Sequence, residues 1–471
     1  MRWFCVMCIL CLDLMQGAIL HAESPATPDT TISAPATQAS PGQQELPSWT
    51  LDRLIRETVA GNPQVLSKRA ACLAAQEGVA AARWKLFPAP YVQVQQGNGD
   101  LLGTSNKRLE IYGIHQPIWT GGQLLNGLRV AKSVERSSVF SLQETRQSLA
   151  LGVVNVYQNL LAWHHRMRAQ ENGVRLMERY AGIMERRVNA GVSAEIDRTQ
   201  VNARLFQARS DLESSASSYR VAMAQMRQLV GAPLKDGEIA FFTEERMTPP
   251  PAADSLLADA EGASPVLERL GAEIETARYQ EKLQKAALFP TLSLKAEHRN
   301  YLYANDATAH ENVVYASLEY SFGAGLSTMA NIRTASARVA GNVQARDAAI
   351  RDLRAKVAGD VEECSRSFRL YRQATLTSKA SADVLASYTR MFVAGKRSWL
   401  DVLNAARELI QSEVSKGDIV AAYWAASYRL RLHAMDDSLI VADRATPPAS
   451  TGSPATAREI APSRQGADAL P

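Results

Sequence analysis

The feature that most constrains this chain is that it repeats itself. Asn62-Pro63 returns as Ser264-Pro265, and Leu86-Phe87-Pro88 returns as Leu288-Phe289-Pro290, both at an offset of 202 residues (265−63 and 290−88). Gly191 and Gly395, 204 residues apart (395−191), each precede an aspartate by six positions, Asp197 and Asp401. Punctuation that stays in register over nearly the whole chain means one supersecondary plan used twice, and the fold must hold both copies. The chain therefore divides into a first repeat over 50–231, a linker over 232–252 that carries Pro249, Pro250 and Pro251, and a second repeat over 253–434.

Within each repeat the hydrophobic period changes in the same order. Thr50 opens a helical stretch that runs to Leu86 with a break at Asn62-Pro63, and residues 253–289 follow the same plan. After each Phe-Pro the period becomes two. Leu292, Leu294 and Ala296 alternate with Ser293, Lys295 and Glu297, while Val314, Ala316, Leu318, Tyr320 and Phe322 alternate with Tyr315, Ser317, Glu319 and Ser321. This predicts strands with one apolar face. The first-repeat counterparts, about 90–98 and 108–119, alternate less regularly. Long helical patterns follow over 124–190 and 326–394, with heptad stripes such as Leu142, Leu149, Val156, Met177 and Met184 in the first and Val343, Ile350, Val357 and Cys364 in the second. At 1.5 Å per residue such a helix is about 100 Å long. Gly191 and Gly395 supply the left-handed residue that ends each one, and Ser398 with Asp401 three positions later is a capping-box start for the next.

The ends and the composition exclude several classes. Residues 1–22, with Arg2, the apolar run Trp3 to Leu14 and a small residue at Ala22, read as a secretory signal peptide. Cys5, Cys8 and Cys11 leave with it, and Leu10 before Cys11 does not fit a lipidation signal. Residues 23–48 read as a disordered leader, and 435–471 as a C-terminal region whose tail from 444 is disordered, because neither has the apolar content to offset chain entropy. No run reaches the roughly 18 apolar residues of a membrane helix, so any membrane crossing falls to the strands. A net charge of +4 with 21% charged residues provides no basic field for nucleic acid. No phosphate loop, nucleophile elbow, His-Glu-x-x-His or paired CxxC is present, so the chain reads as a non-enzyme without cofactor. His164 and His165 are adjacent on a helix and point apart, which argues against a metal site, and Cys364 on its heptad stripe reads as a small buried hydrophobe.

Four strands cannot close a membrane barrel, since known ones begin at about eight and an open edge leaves backbone groups unpaired in lipid. The chain must oligomerise: two copies supply eight strands and three supply twelve. The order helix, strand, strand, long helix, helix used twice, the Leu-Phe-Pro before each strand pair, Gln116-Pro117-Ile118-Trp119-Thr120-Gly121-Gly122 and the two Gly-x5-Asp turns together resemble the TolC family of outer-membrane channels over roughly 50–434. The resemblance implies an α+β, mostly α fold: a homotrimer with a single twelve-stranded barrel in outer-membrane lipid and a periplasmic helical tunnel. Leu292, Leu294, Val314 and Leu318 then face lipid. It also implies a gate of Arg397, Asp401 and Asp197 at the helix turns. Phe392 stands at the family's gate tyrosine, Ile196 in place of a threonine, and Asn404 in place of a second acidic ring. The implied partners are a periplasmic adaptor and an inner-membrane ABC transporter. The stretch Gly395-Lys-Arg-Ser-Trp-Leu-Asp is most like channels for large adhesins or agglutination factors, so a protein substrate is expected. Drug efflux through the same channel and a coiled-coil scaffold are the competing readings.

Overall fold

The computed structural model describes residues 49–96, 106–243, 247–249, 253–303, 307–320 and 326–434. The signal-peptide, leader and tail readings lie outside these residues. In chain order the elements are α1 (Leu51–Gly61), α2 (Pro63–Trp84), β1 (Ala89–Gln96), β2 (Asn106–Trp119), α3 (Gln123–Asn189) and α4 (Glu195–Val230). The second half follows with α5 (Ala253–Ala263), α6 (Pro265–Ala286), β3 (Thr291–Tyr303), β4 (Thr308–Glu319), α7 (Leu326–Val393) and α8 (Trp399–His433). The matched lengths, 67 residues for α3 and 68 for α7, give two helices of about 100 Å.

The breaks have local causes. The Thr50 hydroxyl accepts the Arg53 N–H at the start of α1, and the Asn62 side chain accepts the Gln64 N–H while Pro63 takes the first helical position, where no amide proton is needed. Both long helices end in a Schellman motif. At the first, Gly191 has φ 72° and the Val192 N–H donates to the Arg187 carbonyl; at the second, Gly395 has φ 71° and the Lys396 N–H donates to Met391.

The strands form one antiparallel sheet in the order β1-β2-β3-β4. Two expectations need adjustment here. β2 begins at Asn106, before the expected start at about 108, and β3 runs on to Tyr303 and β4 starts already at Thr308, because the backbone ladder continues past the point where apolar alternation stops. The weak alternation in β2 has its own causes: Gly113 carries no side chain, and Pro117 lies at a register shift before Trp119.

Helices α2 and α4 lie in succession along α3, while α6 and α8 do the same along α7 and also pack on α3. Three buried clusters hold this arrangement. The first joins α1, α3, α4 and α8 to the linker through Leu54, Ile55, Tyr157, Leu160, Met223 and Met226. In it Trp49 forms a parallel bridge with Ile239, and the Tyr157 hydroxyl donates to the Ala240 carbonyl at 2.9 Å. The second lies at the turn end and the third links α5, α7 and α8 around Val357, Cys364 and Tyr423. Cys364 is a packed thiol, and burial pushes its pKa up to about 11. Cys72 is also buried, with its Sγ 3.2 Å from the Ser138 carbonyl.

Candidate functional site

The sheet has two faces of opposite chemistry, set by a register that pairs Leu292 with Leu318, Leu294 with Ala316 and Ala296 with Val314. Period two then puts Leu292, Leu294, Val314 and Leu318 on one face. On that face Val314 is 72% and Leu318 68% exposed, and Val92, Ile114 and Leu294 are exposed beside them. Below this apolar band sit exposed Trp84, Phe87, Trp119, Phe289 and Tyr320. Above it the same face turns polar: His298 shares a hydrogen bond with Asn312 at 2.7 Å, and His310 with Asn300 at 2.8 Å. An apolar band between an aromatic girdle and a polar rim is the pattern of a lipid-exposed barrel wall. Among the described residues no helix is long and apolar enough to cross a membrane.

The opposite face carries a network that pattern reading did not pick out. Tyr91, Gly113 and Glu297 are register partners across β1, β2 and β3. Because Gly113 has no side chain, the Tyr91 ring crosses over it and its hydroxyl donates to Glu297. Tyr315 donates to the same carboxylate oxygen at 2.7 Å, and Arg299 binds the other oxygen at 2.6 Å. Glu297 is only 7% exposed, a burial made tolerable by three charge-assisted donors. The one sequence signal was a glycine in mid-strand.

At the far end the two turns lie side by side. Tyr180 of α3 hydrogen-bonds Thr389 of α7 at 2.9 Å and meets the Trp399 ring edge-on, and the Arg187 guanidinium covers Phe392 at 4.7 Å. Phe392 is 7% exposed and packs on Trp399, inside this cluster and not at its surface. Ser398 accepts the Asp401 N–H at 3.2 Å, so it caps α8. The Asp401 carboxylate lies 3.5 Å from Arg397, whose guanidinium also rests on the Tyr388 ring. Asp197 occupies the first turn of α4, where no side chain caps the helix, and no described cation of this chain pairs with its carboxylate. Val192, Ile196, Val393 and Leu400 are exposed around both turns.

His164 and His165 take different surroundings, as adjacent helical residues must. His164 stacks on Phe241 at 4.2 Å, and desolvation, aided by the neighbouring His165, pushes its pKa down to about 4. Among the described residues no group of three or more metal-ligating side chains forms.

Two hundred-ångström helices per chain, an open four-stranded sheet with an apolar outer face and a polar inner one, and a cluster of glycine turns at the opposite end define a protomer of an outer-membrane transport channel. The family described as outer membrane efflux protein matches residues 54–232 and 256–432, more than half of the chain, and the chain belongs to that family. It is similar to the alkaline protease secretion protein AprF of Pseudomonas aeruginosa, 24% identical over 297 residues, which is 61% of this chain and 61% of that protein. The chain thus spans less than two thirds of that relative's length. Its fold matches that of CusC, with a TM-score of 0.72 and 15% identity over 87% of this chain and 98% of that one. It also matches the outer-membrane channel OprN, with a TM-score of 0.72 and 18% identity over 88% and 98%, and VceC of Vibrio cholerae, with 0.69 and 15% over 83% and 95%. The family is one of non-enzymatic transport channels.

Proposed function

We propose that three copies of this chain form the outer-membrane channel of a tripartite type I secretion system that exports a large protein, of the adhesin or agglutination class, drawing on an inner-membrane ABC transporter through a periplasmic adaptor. The observation that carries protein export over small-molecule efflux is the likeness to the alkaline protease secretion protein AprF. Trimer closure follows from the sheet: β1 and β4 are its edges, and pairing β4 of one copy with β1 of the next buries both while giving twelve strands.

In this reading the turn end is the gate. Arg397 is held by Asp401 and Tyr388 within one copy, while Asp197 on the first-repeat turn takes its cation from a neighbouring copy. Charge-assisted links repeated by threefold symmetry hold the helix ends together until a partner docks. Phe392 supports the gate by packing against Trp399, without a hydroxyl to link helices.

Deleting the gene is expected to abolish surface display or release of one large protein while drug susceptibility stays nearly unchanged. General drug hypersensitivity with intact secretion would replace this reading by the efflux one, which the family's description favours.

A further inference from the structure

The outer face of the sheet carries a motif that transport does not account for. The tripeptide His-x-Asn occurs once on β3, as His298-Arg299-Asn300, and once on β4, as His310-Glu311-Asn312. The antiparallel register pairs His298 with Asn312 and Asn300 with His310, so the histidine of each strand stands opposite the asparagine of the other. The box has a local twofold axis through the Arg299 and Glu311 pair, whose side chains belong to the opposite face. The two imidazoles are therefore equivalent.

Each Nδ1 is engaged by the opposing asparagine, His298 with Asn312 at 2.7 Å and His310 with Asn300 at 2.8 Å. The contacting amide atom is Oδ1, which only accepts, so Nδ1 carries the ring proton and the lone pair of the neutral ring is left on Nε2. The rings are nearly parallel, 12° apart, with their centres separated by 6.1 Å. With metal–nitrogen bonds of about 2.1 Å, two imidazoles that share one ion have ring centres roughly 5 to 6.4 Å apart, so a small side-chain rotation brings this pair together. His310 is exposed and His298 half-buried, which leaves both within reach of solvent. Glu110, beside Asn300 on the same face, is held by Arg108 at 2.5 Å, so water completes the coordination of an ion bound here.

We propose that His298 and His310 form a surface site for one divalent transition ion of the copper, nickel or zinc class, bound through both Nε2 atoms, with Asn312 and Asn300 fixing the tautomers. Imidazole suits these ions, whereas magnesium and calcium prefer oxygen ligands. A hydrogen-bond partner behind each ring orients it and raises its basicity as a ligand. The bound ion ties β3 to β4 at the polar rim of the wall. The inference stands on the sheet alone and does not depend on what the channel exports.

The test uses the full-length channel, purified in detergent without a polyhistidine tag. Copper(II) is titrated calorimetrically and its site read by electron paramagnetic resonance, with magnesium as the control. The wild type is expected to take up one copper ion per chain at this site, with splitting from two imidazole nitrogens, and to ignore magnesium. His298→Gln and His310→Gln, each alone, are expected to remove the two-nitrogen signal at unchanged trimer content. Asn300→Ala with Asn312→Ala is expected to weaken binding about 10- to 100-fold. A two-nitrogen signal that survives either histidine substitution would place the ion elsewhere and overturn the proposal. So would an affinity unmoved by the asparagine variant, a one-nitrogen spectrum of the wild type, or no copper uptake by it. The last two are read without any substitution, so a variant that fails to fold does not shield the proposal.

Discussion

Replacing Leu318 by arginine tests the assignment of the sheet's outer face. From Tyr320 at the aromatic girdle to Asn312 at the polar rim is eight residues. At about 3.3 Å each and a tilt of about 40°, this gives an apolar band roughly 20 Å tall. Ala316 is at its centre, and Leu318, two residues away, sits about 5 Å from the midplane. The full midplane cost of arginine is about 2–4 kcal/mol and falls toward zero at the interface, so this depth predicts about 2 kcal/mol per copy. Leu318 is already 68% exposed in the protomer, so little packing is lost and the cost arises from lipid. Threefold repetition brings the total to about 6 kcal/mol, enough to deplete the assembled species. Glu319→Arg, one residue along and on the other face, changes the same backbone environment without placing charge in lipid. The assay is the yield of heat-modifiable trimer in isolated outer membranes. Equal loss in both variants, or full yield for Leu318→Arg, would refute the assigned alternation.

Three further outcomes follow from other parts of the molecule. Gly113→Val places a Cβ 2.6 Å from the Tyr91 ring and pushes its hydroxyl off Glu297, which costs about 1.5–3 kcal/mol for a hydrogen bond to a charged group; Tyr91→Phe should lower the melting temperature similarly, and the two changes combined should be much less than additive. Arg397→Ser with Asp197→Ala is expected to raise single-channel conductance in planar bilayers at unchanged trimer yield, whereas unchanged conductance would reduce both residues to helix-end electrostatics. The His164 pKa is depressed in the fold to about 4 from the ordinary 6.5, so the unfolded chain takes up the proton first and stability present above pH 6.5 is lost as the pH falls toward 4, by about 1 kcal/mol per pH unit. His164→Phe keeps the stacking on Phe241 without a titrating group, and its melting temperature should fall less over that range; parallel profiles would exclude His164 as the cause.

The sequence by itself determined the plan of the chain. The 202-residue recurrence, the change of period after each Phe-Pro and the positive-φ positions Gly191 and Gly395 are local signals, and the helices and strands they announce begin and end within a few residues of the predicted points. The apolar face of β3 and β4 was legible for the same reason, since alternation at period two is a property of the strand and needs no partner. What only the tertiary structure decided involves residues far apart in sequence. Tyr91 reaches Glu297 because an intervening strand happens to present Gly113, and the buried Phe392 meets Arg187 because two long helices end at the same height. Periodicity records which face of an element is apolar, whereas the identity of the group across the interface depends on register and helix contacts between segments hundreds of residues apart, which no local pattern encodes.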